Sequence, residues 1–234
     1  MNVYFTVDVE QDCPPYLNTW RGMEEGMPVL LEALAAAEVR ATWFTTGEAA
    51  RRYPSIIRAI VAGGHELGCH GDTHRSFAAM TREEAAGELD ASSDTLRQFA
   101  PVHSFRAPYL TFPTRYLALL AGRRYGLDSS QGRHKHLGAS VHRAGGLLRV
   151  PASITSSTLR WPHLLRDALF GRLHDPVVLF VHPWEFVDLR REALRFDCRF
   201  RTGRAALDAL NTSLAFFKAR GATFPTIGSL CSTI

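Results

Sequence analysis

The chain reads as an α/β protein with a parallel sheet, open or closed into a barrel, built as a single domain. Three observations carry this. Runs of strand length alternate with helical patterns along the chain, as βαβ units require. Residues Val177 to Val181 form a continuous β-branched and aromatic run between Asp175-Pro176 and His182-Pro183, which suits a strand buried on both faces. No repeat or low-complexity linker interrupts residues 1–234.

The elements follow in order. From Val3 to Val9, residues Val3, Phe5, Val7 and Val9 point one way, and Tyr4, Thr6, Asp8 and then Glu10 the other. Met23 to Ala37 has helical spacing at Val29, Leu30, Leu34 and Ala37. Pro28 marks an alternative start, because proline suits a first turn. A strand is expected at Ala41 to Thr45, a helix at Ala49 to Ala62 and a short strand at His65 to Cys69. Thr81 to Phe99 reads as a long helix with Glu83 and Glu84 in its first turn. Tyr116 to Ala121 is helical, Leu147 to Pro151 a strand, and Gly203 to Arg220 the last helix. In such folds the active groups collect at the C-terminal ends of strands. Asp8, Glu10, His70, His74, Arg106, Asp128 and His182 all follow predicted strands or begin the loops after them.

The 234 residues are 46% hydrophobic and 21% charged, which fits a soluble domain with a sizeable core and excludes a disordered tail or a small disulfide scaffold. No apolar run reaches the ~20 residues of a membrane-spanning helix. The chain opens without a basic region and meets Asp8, Glu10 and Asp12 at once, so a cytoplasmic location is expected. Cys13, Cys69, Cys198 and Cys231 form no C-x-x-C pair and read as free thiols. Residues 1–100 hold 8 cationic and 15 acidic side chains, and residues 101–234 hold 19 and 8, giving −7 and +11 within the overall +4. A basic half can face an anionic partner, but the arginines are scattered and no nucleic-acid recognition motif accompanies them. Nucleic acid is not expected as a partner.

Four segments could carry chemistry. Asp8 and Glu10 share a strand face, and two carboxylates at the mouth of an apolar strand call for a metal, an arginine or a shared proton. The plainer reading ends the strand at Asp8 and leaves both solvated. His70 and His74 form H-x-x-x-H, which suits two imidazoles on one metal. Gly64, Gly68 and Gly71 around them do not suit the helix of a zincin. Arg106, beside Pro108 and Tyr109, could hold a carboxylate in its charged form, or lie on a surface turn. His182 ends an apolar strand, where it would titrate near neutrality or make one structural hydrogen bond, and Trp184 could stack on a sugar.

Together these blocks resemble the polysaccharide deacetylase (NodB-homology) family, carbohydrate esterase family 4. Carboxylates after the first strand, H-x-x-x-H, Arg106-Ala107-Pro108-Tyr109, Asp128-Ser129-Ser130 and Leu179-x-x-His182 stand in family order from about Tyr4 to Glu185. The resemblance implies a distorted (β/α) barrel with about seven strands. It implies Asp8 as general base, held by Arg106, and His70 and His74 as ligands of a divalent metal, most simply zinc. Tyr109 would supply a backbone N–H to the oxyanion, and His182 would be the general acid, paired with Asp128. Two departures matter. The family's second aspartate, a metal ligand, is replaced by Val9, so Glu10 is the expected ligand and Asp12 the fallback. Ser129 stands where the family often has tryptophan, which leaves the shape of the acetyl pocket open. The D-V-E opening and His-Pro-Trp-Glu resemble a subgroup found with exopolysaccharide and O-antigen pathways.

The implied activity is metal-dependent removal of an N-acetyl group from an amino sugar, free or lipid-linked. Arg21-Gly22-Met23-Glu24-Glu25-Gly26 also resembles a deformylase of lipid-linked formamido-arabinose. Deformylation and a non-catalytic sugar-binding barrel are therefore the alternatives. Residues 157–174 add a helical stretch with Trp161, Leu164, Leu165 and Phe170 beside Arg160, Arg166 and Arg172, which suits either packing on the barrel or peripheral contact with an anionic membrane surface.

Overall fold

The computed structural model describes residues 1–135 and 138–232. Among these, eight strands form one sheet: β1 (Val3–Val9), β2 (Thr42–Thr45), β3 (Glu66–Cys69), β4 (Ser104–Phe105), β5 (Leu127–Asp128), β6 (His142–Ala144), β7 (Leu147–Arg149) and β8 (Val177–Val181). Their order is β6-β7-β5-β4-β3-β2-β1-β8, and every neighbouring pair is parallel except the β6–β7 hairpin. That hairpin's first strand raises the expected count of about seven to eight. After β7 the chain meets β8 through Ser153. Its N–H donates to the Val178 carbonyl at 2.8 Å, and its hydroxyl accepts from the Val178 N–H at 2.9 Å. The sheet thus curves back on itself through one residue, which makes the barrel distorted.

β1 shows why the sequence builds this layer. All seven of its residues are buried. Val3, Phe5, Val7 and Val9 pack outward into the main core between the sheet and the helices. Tyr4 turns inward, where it meets Phe44, Leu127, Leu148 and Val178. Ile227 and Leu230, in the C-terminal turn, join this inner cluster. Removing a side chain such as Phe5 from the outer layer would cost about 3–5 kcal/mol.

The helices are α1 (Met27–Ala36), α2 (Gly47–Arg52), α3 (Pro54–Ala62), α4 (Arg82–Leu96), α5 (Leu117–Gly122), α6 (His163–Phe170), α7 (Phe196–Arg199) and α8 (Arg204–Lys218). Pro28 sits in the first turn of α1, and the expected residues before it form a separate, wider π-helical turn, Gly22–Gly26. The expected helix at 49–62 divides at Tyr53, because Pro54 cannot continue a hydrogen-bonded turn and instead starts α3. α4 opens as its acidic first turn suggests. Thr81 accepts from the Glu84 N–H, and the Glu84 carboxylate accepts from the Thr81 N–H, a reciprocal cap. No helix among the described residues is long and apolar enough to cross a membrane.

Candidate active site

Parallel register brings the strand ends together. Val7 pairs with Val181, Val9 with Thr45, Thr45 with Cys69, Cys69 with Phe105 and Phe105 with Asp128. The residues just beyond, Glu10, His70, Arg106 and His182, therefore emerge at one rim. A cavity of about 560 Å³ opens there, lined by Asp8, Glu10, His70, His74, Tyr109 and His182 among others.

Glu10, His70 and His74 each offer a ligand atom, and these atoms lie within 4.8 Å of one another. The Glu10 Oε2 is 2.5 Å from His74 Nε2 and 3.3 Å from His70 Nε2. His70 Nδ1 lies 2.7 Å from the Arg106 carbonyl, which can only accept, so Nδ1 carries the proton and Nε2 keeps its lone pair for the cavity. His74 Nδ1 is buried without a hydrogen-bond partner. Two imidazoles and a carboxylate converging on one point fit a divalent cation with open coordination positions. Burial pushes the Glu10 carboxyl up, but the neighbouring His74, His182 and His70 imidazoles outweigh it and hold the group well below the usual range.

The H-x-x-x-H pair is not helical. His74 has φ 58, a left-handed backbone, and the loop is held by Glu88 of α4. That carboxylate accepts from the Asp72 and Thr73 N–H groups at 2.9 and 3.0 Å. Asp12 does not join the ligands. Its carboxylate accepts from Thr19 Oγ1 at 2.6 Å and from the Arg21 and Gly22 N–H groups at 2.7 and 2.8 Å, organising the turn before α1.

Asp8 and Arg106 meet as expected. Arg106 Nη1 donates to Asp8 Oδ1 and to Thr6 Oγ1, both at 2.7 Å, and Nη2 donates to Ser129 Oγ at 3.0 Å. The guanidinium is fully buried and lies over the Phe44 ring, 4.3 Å from its centroid. Tyr109 has φ 60, and its ring packs edge-on against His74 with centroids 4.9 Å apart.

Asp128 overturns an expectation. It does not pair with His182. Across the β5–β7 register it faces Arg149, whose Nε donates to its Oδ2 at 2.8 Å, and its Oδ1 accepts from the Ser130 N–H at 3.1 Å and from the Ser130 hydroxyl. Ser130 Oγ in turn accepts from the Ala107 N–H at 2.7 Å. Asp128-Ser129-Ser130 therefore braces the Arg106-Ala107 loop.

The partner of His182 is Glu185, which sequence reasoning missed. Glu185 Oε1 lies 2.8 Å from His182 Nδ1 and accepts from the His182 N–H at 3.0 Å. The signal was present: a carboxylate three residues after a residue that begins a helical turn reaches back to it, as in a capping box. Burial pulls the His182 imidazole down, but Glu10 and Glu185 raise it to about 9. Trp184 is buried rather than free for a sugar. It stacks on His182 with centroids 4.7 Å apart and donates its indole N–H to Glu10 Oε1 at 3.3 Å. The Gly22–Gly26 turn lies against this segment. A methyl at Gly26 would sit 2.1 Å from the Pro183 carbonyl oxygen, and one at Gly22 2.6 Å from the Trp184 nitrogen.

The sequence matches the model of the polysaccharide deacetylase family over residues 2–128. It is 35% identical over 85 residues to a chitooligosaccharide deacetylase of Sinorhizobium fredii, a match covering 35% of this chain and 40% of that protein. It is 32% identical over 107 residues to a peptidoglycan deacetylase of Helicobacter pylori, covering 44% of this chain and 36% of that protein. The chain thus covers less than half the length of either relative. A putative polysaccharide deacetylase structure from Mycobacterium smegmatis shares the fold, with a TM-score of 0.73, 20% identity and coverage of 100% of this chain and 89% of that one.

Proposed function

This chain belongs to the polysaccharide deacetylase family, and from that premise we propose that it is a metal-dependent amide hydrolase. Its substrate would be an N-acetylated amino sugar of a cell-envelope or exopolysaccharide pathway. The observation that carries the reading is one cavity lined by three groups: the Glu10–His70–His74 cluster, an arginine-held carboxylate at Asp8 and a carboxylate-held imidazole at His182. The named relatives, deacetylases of chitooligosaccharide and peptidoglycan, support the same substrate class.

Glu10, His70 and His74 would hold a divalent cation, most simply zinc, which supplies Lewis acidity to the water and the acyl oxygen. Asp8, held in place by the Arg106 hydrogen bond, accepts the proton of the attacking water. The Tyr109 N–H donates to the developing oxyanion. His182, its Nδ1 proton held by Glu185, donates from Nε2 to the sugar nitrogen as the C–N bond breaks. The amine and acetate leave.

A cytoplasmic site of action belongs to this proposal. So does contact with a lipid surface, now narrowed. Arg160, Arg166 and Phe170 of the 157–174 segment are buried, whereas Trp161, Leu164 and Leu165 are 43%, 74% and 63% exposed. Arg166 is spent on α8, donating to the Ala209 carbonyl at 3.0 Å and Thr212 Oγ1 at 2.9 Å.

Acid release from matched N-acetyl and N-formyl glucosamine oligomers tests the reading. Acetate release supports deacetylation, and formate release alone would assign the deformylase alternative. Sugar binding without release of either acid would leave a non-catalytic barrel.

A further inference from the structure

Peripheral membrane contact of the 157–174 segment would leave Arg160 exposed, whereas packing on the barrel would cover it, and it is 2% exposed. Its guanidinium joins two parts of the site. Nε forms an ion pair with Glu185 Oε2 at 2.8 Å, without the alignment of a hydrogen bond, and the other oxygen of that carboxylate holds His182. On the other side, Nη2 donates to the Asp197 carbonyl at 2.7 Å, and Nη1 donates to the carbonyls of Cys198, at 3.3 Å, and Phe200. Those carbonyls belong to α7 and the residue after it. Arg195, Asp197 and Cys198 of the same segment line the cavity wall.

A buried carboxylate needs a counter-charge, and a lysine ammonium could supply that alone. Three carbonyl acceptors on one segment, together with an ion-paired carboxylate on another, need the planar fork of arginine. Lysine has one nitrogen and cannot reach the whole set. The arrangement therefore does more than neutralise Glu185: it fixes the distance between the wall and the pair that holds the imidazole.

We propose that Arg160 is a positioning residue that locks the cavity wall at residues 195–200 to the Glu185–His182 pair, so that the wall and the proton donor move as one unit on a bound sugar. This rests on the reading of His182 as proton donor.

The test compares wild type with R160K, E185Q, E185D, H182A and the double variant R160M/E185Q. Hydrogen exchange over residues 195–200 is measured first, then turnover of N-acetylglucosamine oligomers. R160K keeps the charge and loses the fork. It is expected to exchange faster over residues 195–200, to lose about 10–100-fold in kcat and to raise KM as well. E185Q is expected to lose kcat with KM and exchange unchanged, and E185D to recover part of that loss. R160M/E185Q removes both buried charges, so it folds without an unpaired one, and is expected to show the fast exchange of R160K. Wild-type exchange over residues 195–200 in both R160K and the double variant would overturn the lock, whatever the activities. An H182A protein with wild-type turnover would instead remove the proton-donor reading, while the exchange data still decide whether Arg160 holds the wall.

Discussion

Two buried arginines stand behind the two sides of the cavity, and they are anchored differently. Arg106 follows β4, and its guanidinium reaches Asp8 and Thr6 on β1 and Ser129 just after β5. Every one of those partners is placed by strand register. Arg160 ends a short helical turn and grips carbonyls of α7 and the Glu185 side chain. Its partners lie on turns and a one-turn helix. The Asp8 side is thus set by the sheet, while the His182 side and the wall at residues 195–200 are set by side-chain bonds between loops. Strand register tolerates little adjustment. Loops tied through one guanidinium can shift together.

The largest effect that would sharpen this contrast is at the rigid side. Asp8→Asn should lose about 10²–10⁴-fold in kcat while retaining metal, the range of a positioned general base. A variant with near wild-type turnover would show that Asp8 is not the base, and the contrast would lose one side.

The next comparison sets the two carboxylates against each other. Glu185→Gln should lower kcat about 10–100-fold, whereas Asp128→Asn should lower thermal stability and leave turnover per folded molecule near wild type. The reverse pattern would return Asp128 to the partnership with His182.

A smaller effect concerns acid stability. Burial pushes the Glu185 carboxyl up, but Arg160 and His182 outweigh it and hold its folded value below the unfolded value of about 4.3. The carboxylate's contribution is therefore full above that unfolded value and is lost as pH falls through the folded one. Glu185→Gln should show a flatter loss of stability across this acid window in thermal melts at stepped pH. An unchanged acid limb would mean that Arg160 does not favour the charged form.

The smallest expected effect is at the surface. Wild type should float weakly with anionic vesicles at low salt, and Leu164→Asp with Leu165→Asp should abolish it. Equal flotation of both proteins would place lipid contact elsewhere or nowhere.

Much of the sheet-borne side was legible in the sequence, because alternation in β1 puts Asp8 and Glu10 in one row and the ends of β3, β4 and β8 bring His70, Arg106 and His182 beside them. The strands β4 and β5 are two residues each, too short to show a period, and they were seen only as motifs. The loop-borne side was harder to read. Glu185 was in view within His182-Pro183-Trp184-Glu185, and its spacing signals a cap on the His182 backbone N–H, but that spacing does not show the second contact to the imidazole. Arg160 lies 25 residues from Glu185 and looked like one more surface arginine, since burial of a charge depends on partners distant in sequence. Asp128 was misassigned because family order names a role but not the neighbour that register supplies, here Arg149.

In the proposed reaction, amide hydrolysis depends on a metal held by Glu10, His70 and His74. The most direct test strips the protein with a chelator, restores zinc in steps, and measures bound metal and acetate release on the same samples, with H70A and H74A alongside. A single ion per chain is expected, with acetate release rising in proportion to occupancy and both lost in the two variants. Full activity in the stripped protein, or undiminished metal in either variant, would contradict this expectation.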